Sequence, residues 1–438
     1  MKLEDSLLLA ADYHKDRVAL AEFIENMEAA LSDLPQRAER NGAQQNRAKA
    51  IHETARTARQ AFLDLHADEL YAELTESYEH HLRIENLAFK AAELVPGLVP
   101  TRLQIEKERS LPQQHKEGNE IDQGILFNSF LNSPRTGSHL LDAMRRPTAE
   151  ALSLLSAFKE EGWVDLGSVT LRREDGVGFV TLDNHEYLNA EDDATVGRLE
   201  TAVDLVLLDD CIKVGVLRGA PMRHPRYANQ RVFSAGINLT HLYQGRISLI
   251  DFMLRRELGY INKMFRGIIA VSPGQGSQHT QEKPWIGAID TFSIGGGTQI
   301  TLVLDRVIAE RKSYFTLPAM QEGIVPGAAN LRLPRMTGSR LARQSIFFNR
   351  LIPADSSHGQ LLCDVVADSN EMESAIRSAA AELSKPAVVA NRRMLRLAEE
   401  PESSFREYMA WYALEQSRLI HSEDMIATLE RSWVARAR

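Results

Sequence analysis

The chain of 438 residues has little cysteine, because only Cys211 and Cys363 occur. Two thiols are too few for a disulfide framework or a thiolate metal cage, and neither CxxC nor HExxH supplies metal-ligand spacing. The sequence also lacks GxGxxG and GxxxxGK[ST], the usual loops that bind dinucleotides and phosphates. We therefore expect neither a bound metal nor a nucleotide cofactor.

Long apolar runs are absent too. No stretch approaches the roughly 20 apolar residues of a membrane span, and "MKLED" places acids at the very start. A net charge of −9 argues against a nucleic-acid partner. With 44% hydrophobic and 25% charged residues, the composition indicates a globular, cytoplasmic protein of two or three domains.

Glycine is scarce at the front, where Gly42 is the first and Gly97 the second. Apolar residues recur at helical spacing from Leu63 through Leu74 to Tyr78 and Leu82. A loop-like stretch is predicted through "KEGNEIDQG" and "NSPRTG", and then a helix over "TAEALSLLSAFKEEG". We predict an all-helical N-terminal domain over residues 1–162.

The pattern changes after residue 162. "SVTLRRE" and "VGFVTLD" flank a DG turn typical of a β-hairpin, and "KVGVLRG", "PWIGAID" and "RVIAE" indicate further strands separated by helical segments. Alternating helices and strands indicate an α/β core, which we place at residues 163–385. Residues 386–438 are predicted to form a C-terminal helical region.

Two glycine-containing turns stand out in this core. "SIGGGTQI" (residues 293–300) lies where a strand gives way to a helix, and "RVFSAGINL" (residues 231–239) supplies a second turn. Backbone N–H groups at a helix start have no intrahelical acceptor, so two such turns could direct donors at one carbonyl oxygen and stabilise an enolate. Taken alone, either turn would more often have a purely structural role.

In this order the segments resemble the crotonase (enoyl-CoA hydratase/isomerase) superfamily, whose members bind acyl-CoA thioesters and stabilise enolate-like intermediates. The resemblance covers roughly residues 168–390 and includes "GFVTLDNHEYLNA", "FSAGINL" and "LPAMQEGIVPGAANLRL". It implies a ββα spiral core with oxyanion donors at the amides of Ile237 and Gly296, where a Cβ would obstruct the thioester. We assign contacts with CoA to Arg231 and Ala235.

The sequence departs from the hydratases at their two acid/base carboxylates. Gln299 stands where those enzymes carry one glutamate, and Ala319 stands at the second position. An amide takes up no proton at neutral pH and a methyl group has no polar atom, so water addition is not expected. Conversely, Glu191 occupies a position that the family usually fills with an apolar residue.

These departures, with the long helical front, resemble the cofactor-independent oxygenase branch of the superfamily, as do "DFMLRRELGYI" and "ANRRML". The resemblance implies oxidation of an arylacetyl-CoA by O2 to an arylglyoxylate, with release of CoA and without metal or flavin. It also implies a role in glycopeptide-antibiotic biosynthesis and a homotrimer or homohexamer.

Individual roles follow from this resemblance and from the residue chemistry. Glu191 and Arg256 are the candidates for binding a hydroxylated ring, with Arg256 on a predicted helix beside Tyr260 and Arg255 on another face. Gln299 could hydrogen-bond the substrate or peroxide oxygens. The predicted dry pocket for O2 is formed by Ala319, Ile324 and Val325.

Two other interpretations stay open at this point. The same fold could catalyse another enolate reaction of an acyl-CoA, such as isomerisation, decarboxylation or dehalogenation. Alternatively, loss of both hydratase glutamates is what a non-catalytic acyl-CoA-binding scaffold would show. Consumption of O2 separates the dioxygenase from both.

Overall fold

The structure, a computed structural model, describes residues 7–270 and 279–436. Its described residues contain seventeen α-helices: α1 Tyr13–Ser32, α2 Gly42–Leu74, α3 Ile84–Leu94, α4 Arg102–Arg109, α5 Glu120–Asn132, α6 Pro134–Arg145, α7 Ala149–Glu161, α8 Asp193–Leu208, α9 Leu239–Tyr243, α10 Asn262–Arg266, α11 Gly296–Thr301, α12 Ala319–Glu322, α13 Ala329–Phe348, α14 Met372–Leu383, α15 Pro386–Glu399, α16 Glu402–Leu419 and α17 Glu423–Arg436.

The same residues contain twelve strands: β1 Trp163–Asp165, β2 Val169–Glu174, β3 Val177–Leu182, β4 Val214–Gly219, β5 Ile268–Ala270, β6 His279–Gln281, β7 Trp285–Ile289, β8 Phe292–Ile294, β9 Arg306–Glu310, β10 Tyr314–Thr316, β11 Ile352–Pro353 and β12 Val365–Ala367. Two π-helical segments, Leu249–Leu254 and Glu257–Ile261, precede α10.

Packing divides the chain into two compact units. The first comprises Met1–Met144, Thr240–Ile250 and Arg406–Arg438, and the second comprises Arg145–Leu239 and Asp251–Phe405. The first unit is helical and the second holds the sheets. The domain boundaries after residues 162 and 385 were drawn from changes of pattern along the chain, and they stay predictions.

Helix α2 runs for 33 residues in the helical unit. The helical spacing is confirmed from Leu63 to Leu74, but Tyr78 and Leu82 lie beyond the helix end. Residues 76–78 have φ values of 51°, 60° and 71°, and a right-handed helix cannot continue through three left-handed residues.

The loop predicted through "KEGNEIDQG" and "NSPRTG" is wrong, because α5 begins at Glu120 and α6 begins at Pro134. Helix α5 is buried on nearly every side, so it lacks the apolar stripe by which an amphipathic helix is detected. Its polar groups have internal partners. Asn128 Nδ2 donates to the Ala410 carbonyl at 2.9 Å, and the Leu249 N–H donates to Glu120 Oε1 at 2.7 Å.

The predicted α/β core is confirmed in the second unit. A seven-stranded sheet has the order β1-β2-β3-β4-β7-β9-β12 among the described residues. The β2–β3 pair is antiparallel, and its turn at Asp175 and Gly176 has φ values of 48° and 77°, as a DG hairpin requires. Strands β3, β4, β7, β9 and β12 pair in parallel, and their apolar side chains pack against α14.

A second, smaller sheet has the order β11-β10-β8 and pairs Ile294 with Thr316 in parallel. Isolated parallel bridges join Ser234 to Ser293 and Glu191 to Ile237. These pairings place both glycine-containing turns next to each other along neighbouring backbone segments. Across the described residues, no helix has the length and apolarity needed to cross a membrane.

We predict that Gly215→Ala destabilises the second unit. Gly215 on β4 pairs with Trp285 on β7, and a Cβ at this position would lie 2.4 Å from the fully buried indole ring. Forcing a methyl group into a filled core costs about 1–3 kcal/mol. Thermal and urea unfolding should show the loss.

Gly42→Ala is the matched control, because a Cβ there meets nothing within 4 Å. Its unfolding midpoint should match that of the wild type. Equal midpoints for both variants would contradict the packing argument.

Candidate active site

The two glycine-containing turns adjoin each other in the second unit. Glu191 donates its N–H to the Gly236 carbonyl at 2.7 Å and accepts from the Asn238 N–H at 2.8 Å. In this parallel pairing the Ile237 N–H points away from Glu191. Gly296 is the first residue of α11, and a Cβ on Gly236 would lie 3.2 Å from its nitrogen. The two amides predicted as oxyanion donors therefore lie on touching turns.

Arg256 connects these turns to the acidic residues. The residue is 3% exposed. Its guanidinium donates to four acceptors: Nε to Glu191 Oε2 (3.0 Å), Nη1 to Glu257 Oε1 and to Gln299 Oε1 (2.7 Å each), and Nη2 to the Gly296 carbonyl (2.6 Å). The predicted residues Glu191, Arg256 and Gln299 thus meet in one hydrogen-bonded group. Together with Glu257 and Tyr260, we call it the Arg256 cluster.

Tyr260 completes this cluster, because its hydroxyl donates to Glu191 Oε1. Burial, reinforced by the charge of Glu191, raises the pKa of Tyr260 well above its ordinary value, so the phenol keeps its proton. Burial acts to lower the pKa of Arg256, but Glu191 and Glu257 outweigh it and raise that pKa. A second positive charge lies nearby, since Arg332 Nη1 is 3.8 Å from Glu257 Oε2.

The orientation of the Gln299 amide is set by Arg256. Because the guanidinium donates to Oε1, the Nε2 group must point to the other side. Within the described part of the chain Nε2 has no acceptor, and the side chain retains 8% exposure. Gln299 therefore presents a neutral donor that a ligand can use.

The predicted oxygen pocket lies along the turn that follows β10. Ala319 is 2% exposed, and its carbonyl accepts from the Ile324 N–H at 3.1 Å. Ile324 and Val325 are half-buried and lead to Gly327, where a Cβ would lie 2.6 Å from Gln299 Oε1. The turn carrying all three apolar residues therefore ends against the Arg256 cluster.

The predicted CoA contacts lie just before Ile237 in the chain. Arg231 is half-buried, and its Nη1 donates to the Gly219 carbonyl at 3.0 Å. Burial and the neighbouring Arg218 lower the pKa of Arg231. Ala235 is half-buried. No described hydrogen bond joins either residue to the Arg256 cluster, and their contact with CoA stays a prediction.

Sequence reasoning separated Arg255 from Arg256 correctly, since Arg255 Nε donates at 2.8 Å to Glu200 instead. It missed Glu257 and the bond made by Tyr260. The segment was predicted as an ordinary helix, whereas its residues 257–261 form a π-helical turn. Arg256 Nη1 donates to Oε1 of the adjacent Glu257, so both side chains lie within one site. The four-residue spacing between Arg256 and Tyr260 was the sequence signal that could have predicted a shared site for these two side chains.

Several known proteins are similar to this chain in sequence or in fold. Residues 172–425 match the enoyl-CoA hydratase/isomerase family. The chain is 49% identical over 422 residues to (3,5-dihydroxyphenyl)acetyl-CoA 1,2-dioxygenase of Amycolatopsis orientalis, covering 96% of this chain and 97% of that protein. It is 27% identical over 229 residues to short-chain-enoyl-CoA hydratase of Clostridium acetobutylicum, covering 52% and 79%. The solved structure of OdaA from Pseudomonas aeruginosa superimposes with a TM-score of 0.50 at 21% identity, covering 60% and 98%.

We predict that Arg256→Met destabilises the protein strongly. Removing the shared guanidinium leaves the buried carboxylates of Glu191 and Glu257 without their closest cation. Breaking a buried ion pair from one side costs about 3–5 kcal/mol. Chemical unfolding near neutral pH should report this loss.

Arg255→Met is the control from the adjacent position. Its partner Glu200 keeps Lys263 Nζ at 2.8 Å, so the expected loss is on the order of 1 kcal/mol. Equal losses for the two variants would mean that the Arg256 cluster is not the more strongly coupled group.

Proposed function

Because the chain belongs to the enoyl-CoA hydratase/isomerase (crotonase) family, we propose that it is a dioxygenase acting on 3,5-dihydroxyphenylacetyl-CoA. O2 converts this thioester into 3,5-dihydroxyphenylglyoxylate and free CoA, without metal or flavin. The observation that carries the proposal is the buried Glu191–Arg256 pair against Gly296, in a site with Gln299 and Ala319 in place of the hydratase carboxylates. Near full-length similarity to an enzyme of that name supports it.

The reaction needs no further oxidant or reductant. Both oxygen atoms of O2 enter the product, one as the ketone and one in the carboxylate. The two benzylic hydrogens leave as protons and balance the carboxylic acid and the thiol of CoA. All four electrons that reduce O2 come from the benzylic carbon, which is oxidised from a methylene to a ketone as its two C–H bonds break. The C–S bond breaks with its electron pair leaving on the CoA thiolate, so no external donor is needed.

Chemistry begins at the thioester carbonyl, which lies between the amides of Ile237 and Gly296. These donors stabilise the negative charge that develops on the oxygen as the benzylic carbon loses a proton. Preorganised amides in a buried site cost little reorganisation during the reaction. The pair therefore lowers the barrier to carbanion formation.

The carbanion then transfers an electron to O2, and recombination forms a peroxide at the benzylic carbon. The peroxide attacks the thioester carbonyl and expels CoA through a strained ring. Cleavage of the O–O bond with loss of the second benzylic proton leaves the 2-oxo acid. Gln299 Nε2 donates to the peroxide or the substrate without competing for the proton.

Recognition of the ring relies on the buried charges. A ring hydroxyl can donate to the Glu191 carboxylate and accept from the Arg256 guanidinium. Glu191 and Arg256 already bond to each other, so an analogue that lacks the hydroxyl forgoes only the additional hydrogen bonds to them. Glu191 and Arg256 therefore select a hydroxylated arylacetyl group over an aliphatic acyl chain.

Space for O2 is assigned to Ala319, Ile324 and Val325, whose apolar atoms suit a small uncharged guest. Arg231 and Ala235 are assigned to CoA. The alanine methyl group replaces a carboxylate of the hydratases and leaves room beside the carbanion. This placement separates capture of O2 from formation of the carbanion.

We place the enzyme in the cytoplasm as a homotrimer or homohexamer that serves glycopeptide-antibiotic biosynthesis. Exposed apolar side chains on α13 and α15 support assembly, among them Phe348 at 75%, Met394 at 66% and Leu397 at 63%. Covering such residues favours association between subunits. Analytical ultracentrifugation tests the assembly.

The proposed activity is tested by incubating the protein with 3,5-dihydroxyphenylacetyl-CoA in air and under anaerobic conditions, with chelator and after removal of flavin. Across residues 7–270 and 279–436, no three His, Cys, Asp or Glu side chains are grouped as metal ligands. CoA release and O2 uptake should rise together at equal molar amounts and survive the chelator. If activity is lost in chelator and restored by adding one particular metal, the metal-free mechanism is wrong.

Gln299→Glu should slow oxygenation. A carboxylate at this position would share Arg256 Nη1 with Glu257 and add a negative charge where the carbanion forms. Turnover should fall by about tenfold or more, while binding of CoA alone stays near the wild-type value. Steady-state O2 uptake and calorimetry measure the two effects.

Gln299→Met provides the control, because it removes the amide without adding charge. A smaller loss in Gln299→Met than in Gln299→Glu supports the charge argument. Wild-type turnover in Gln299→Glu would show that Gln299 takes no part in the reaction.

Ala319→Leu should block O2 while sparing the oxyanion donors. The larger side chain fills the space assigned to O2, and the amides of Ile237 and Gly296 are untouched. Deuterium exchange at the benzylic carbon without oxygen reports carbanion formation, and O2 uptake in air reports its capture. Uptake should fall much more than exchange. Equal reductions would show that the leucine disturbs substrate binding instead.

A further inference from the structure

A second group of buried charges lies behind the segment that carries Arg256. Lys263 on α10 is fully buried, with Nζ 2.8 Å from Glu200 Oε1 and 2.8 Å from Asp204 Oδ1. Glu200 and Asp204 are one turn apart on α8, and neither is exposed. Arg255 Nε donates to the other oxygen of Glu200 at 2.8 Å. We call Lys263, Glu200, Asp204 and Arg255 the Lys263 platform.

The platform contacts the Arg256-bearing segment on both flanks. Arg255 immediately precedes Arg256, and Lys263 follows Tyr260 by three residues. Between them, a Cβ on Gly259 would lie 2.9 Å from Glu200 Oε1. Glu200 cannot swing aside easily, because it is fully buried and bonded to two cations.

A buried charge cluster of this kind contributes little net stability to a fold. Burying two carboxylates and two cations carries a desolvation cost that well-packed apolar residues would avoid. Charged pairs do, however, fix relative positions through directional bonds. The segment that they hold is irregular, since Gly259 has non-helical φ and ψ of −91° and −111° within the π-helical turn. Such turns occur frequently at functional sites.

We propose that Lys263 and Glu200 are positioning residues for substrate specificity: the Lys263 platform holds Arg256 and Tyr260 where they orient Glu191 toward the ring hydroxyls. The inference rests on the proposed function. Displacing the segment by a few tenths of an ångström misplaces Arg256, which spans Glu191, Gln299 and the Gly296 carbonyl. Recognition of the hydroxyls is lost before the fold is.

Two variants disturb the platform by different means. Lys263→Met removes the ammonium and keeps the length of the side chain. Gly259→Ala keeps every charge and pushes the segment away from Glu200. Gly197→Ala on α8 is the control, because its Cβ would lie 3.6 Å from Arg255, an ordinary contact.

The decisive measurement is the ratio of dissociation constants for 3,5-dihydroxyphenylacetyl-CoA and phenylacetyl-CoA, obtained by anaerobic calorimetry on the full chain. We expect wild type and Gly197→Ala to prefer the dihydroxy ester by about tenfold or more. Lys263→Met and Gly259→Ala should reduce that preference to about threefold or less, with affinity for phenylacetyl-CoA nearly unchanged. Their kcat for O2 uptake should fall as well. A general loss of stability would weaken both esters alike.

Each result decides something. A preserved preference in folded Gly259→Ala and Lys263→Met overturns the inference, and so does a wild type without preference. If neither variant accumulates as folded protein, the platform is a folding element and its positioning role is withdrawn. A wild type that consumes no O2 with the dihydroxy ester overturns the proposed function instead, whatever the affinity ratios.

Discussion

Arg256 presents five N–H donors in one plane. Of its four hydrogen bonds, three reach segments that lie far apart in the sequence and one reaches the adjacent residue. Its partners include the side chain of Glu191, the start of helix α11 and its own neighbour Glu257. Because a guanidinium is rigid, moving one partner requires the others to adjust. The geometry of both glycine-containing turns is therefore coupled to a single buried cation.

Charge balance around this cation accounts for the glutamine at position 299. Glu191 and Glu257 already share Arg256, and the next cation, Arg332, also pairs with Glu400 at 2.9 Å. A third carboxylate on the same guanidinium would be under-compensated in a buried site. An amide accepts the same hydrogen bond from Arg256 and brings no charge. This charge balance relates the amide at position 299 to the carboxylate at position 191.

Local signals made much of the core predictable from the sequence. The DG turn between β2 and β3 and the apolar run of β7 specify their structures through neighbouring residues alone. Helix α5 was not predicted, because a helix that is buried on all sides has no periodic alternation of apolar and polar residues. The π-helical turn was not predicted because its sequence is also compatible with an ordinary helix.

Gln299 and Ala319 were predicted as site residues because they stand where the hydratases carry glutamates. The hydrogen bond from Tyr260 to Glu191, by contrast, joins residues that are 69 positions apart in the sequence. Sequence spacing alone cannot specify such a contact. The same limit applies to the Lys263 platform, whose partners lie on two helices that only the folded chain brings together. The sequence therefore allowed prediction of the residues that lie within a family-like motif. It did not allow prediction of the hydrogen-bond network that orients their side chains.

The three glycines of "SIGGGTQI" satisfy three different constraints. Gly295 has a φ of 51°, and its surroundings leave a Cβ ordinary contacts, so backbone conformation is its requirement. A Cβ on Gly297 would lie 2.8 Å from the Cβ of Ser234, so close packing is the second. On Gly296 it would meet Glu191 Oε2 at 2.8 Å and Arg256 Nη2 at 3.1 Å. Glycine is therefore needed at position 296 to admit the ion pair, in addition to any need to admit the thioester. The absence of a side chain at position 296 and the buried charge of Glu191 are therefore two parts of one arrangement.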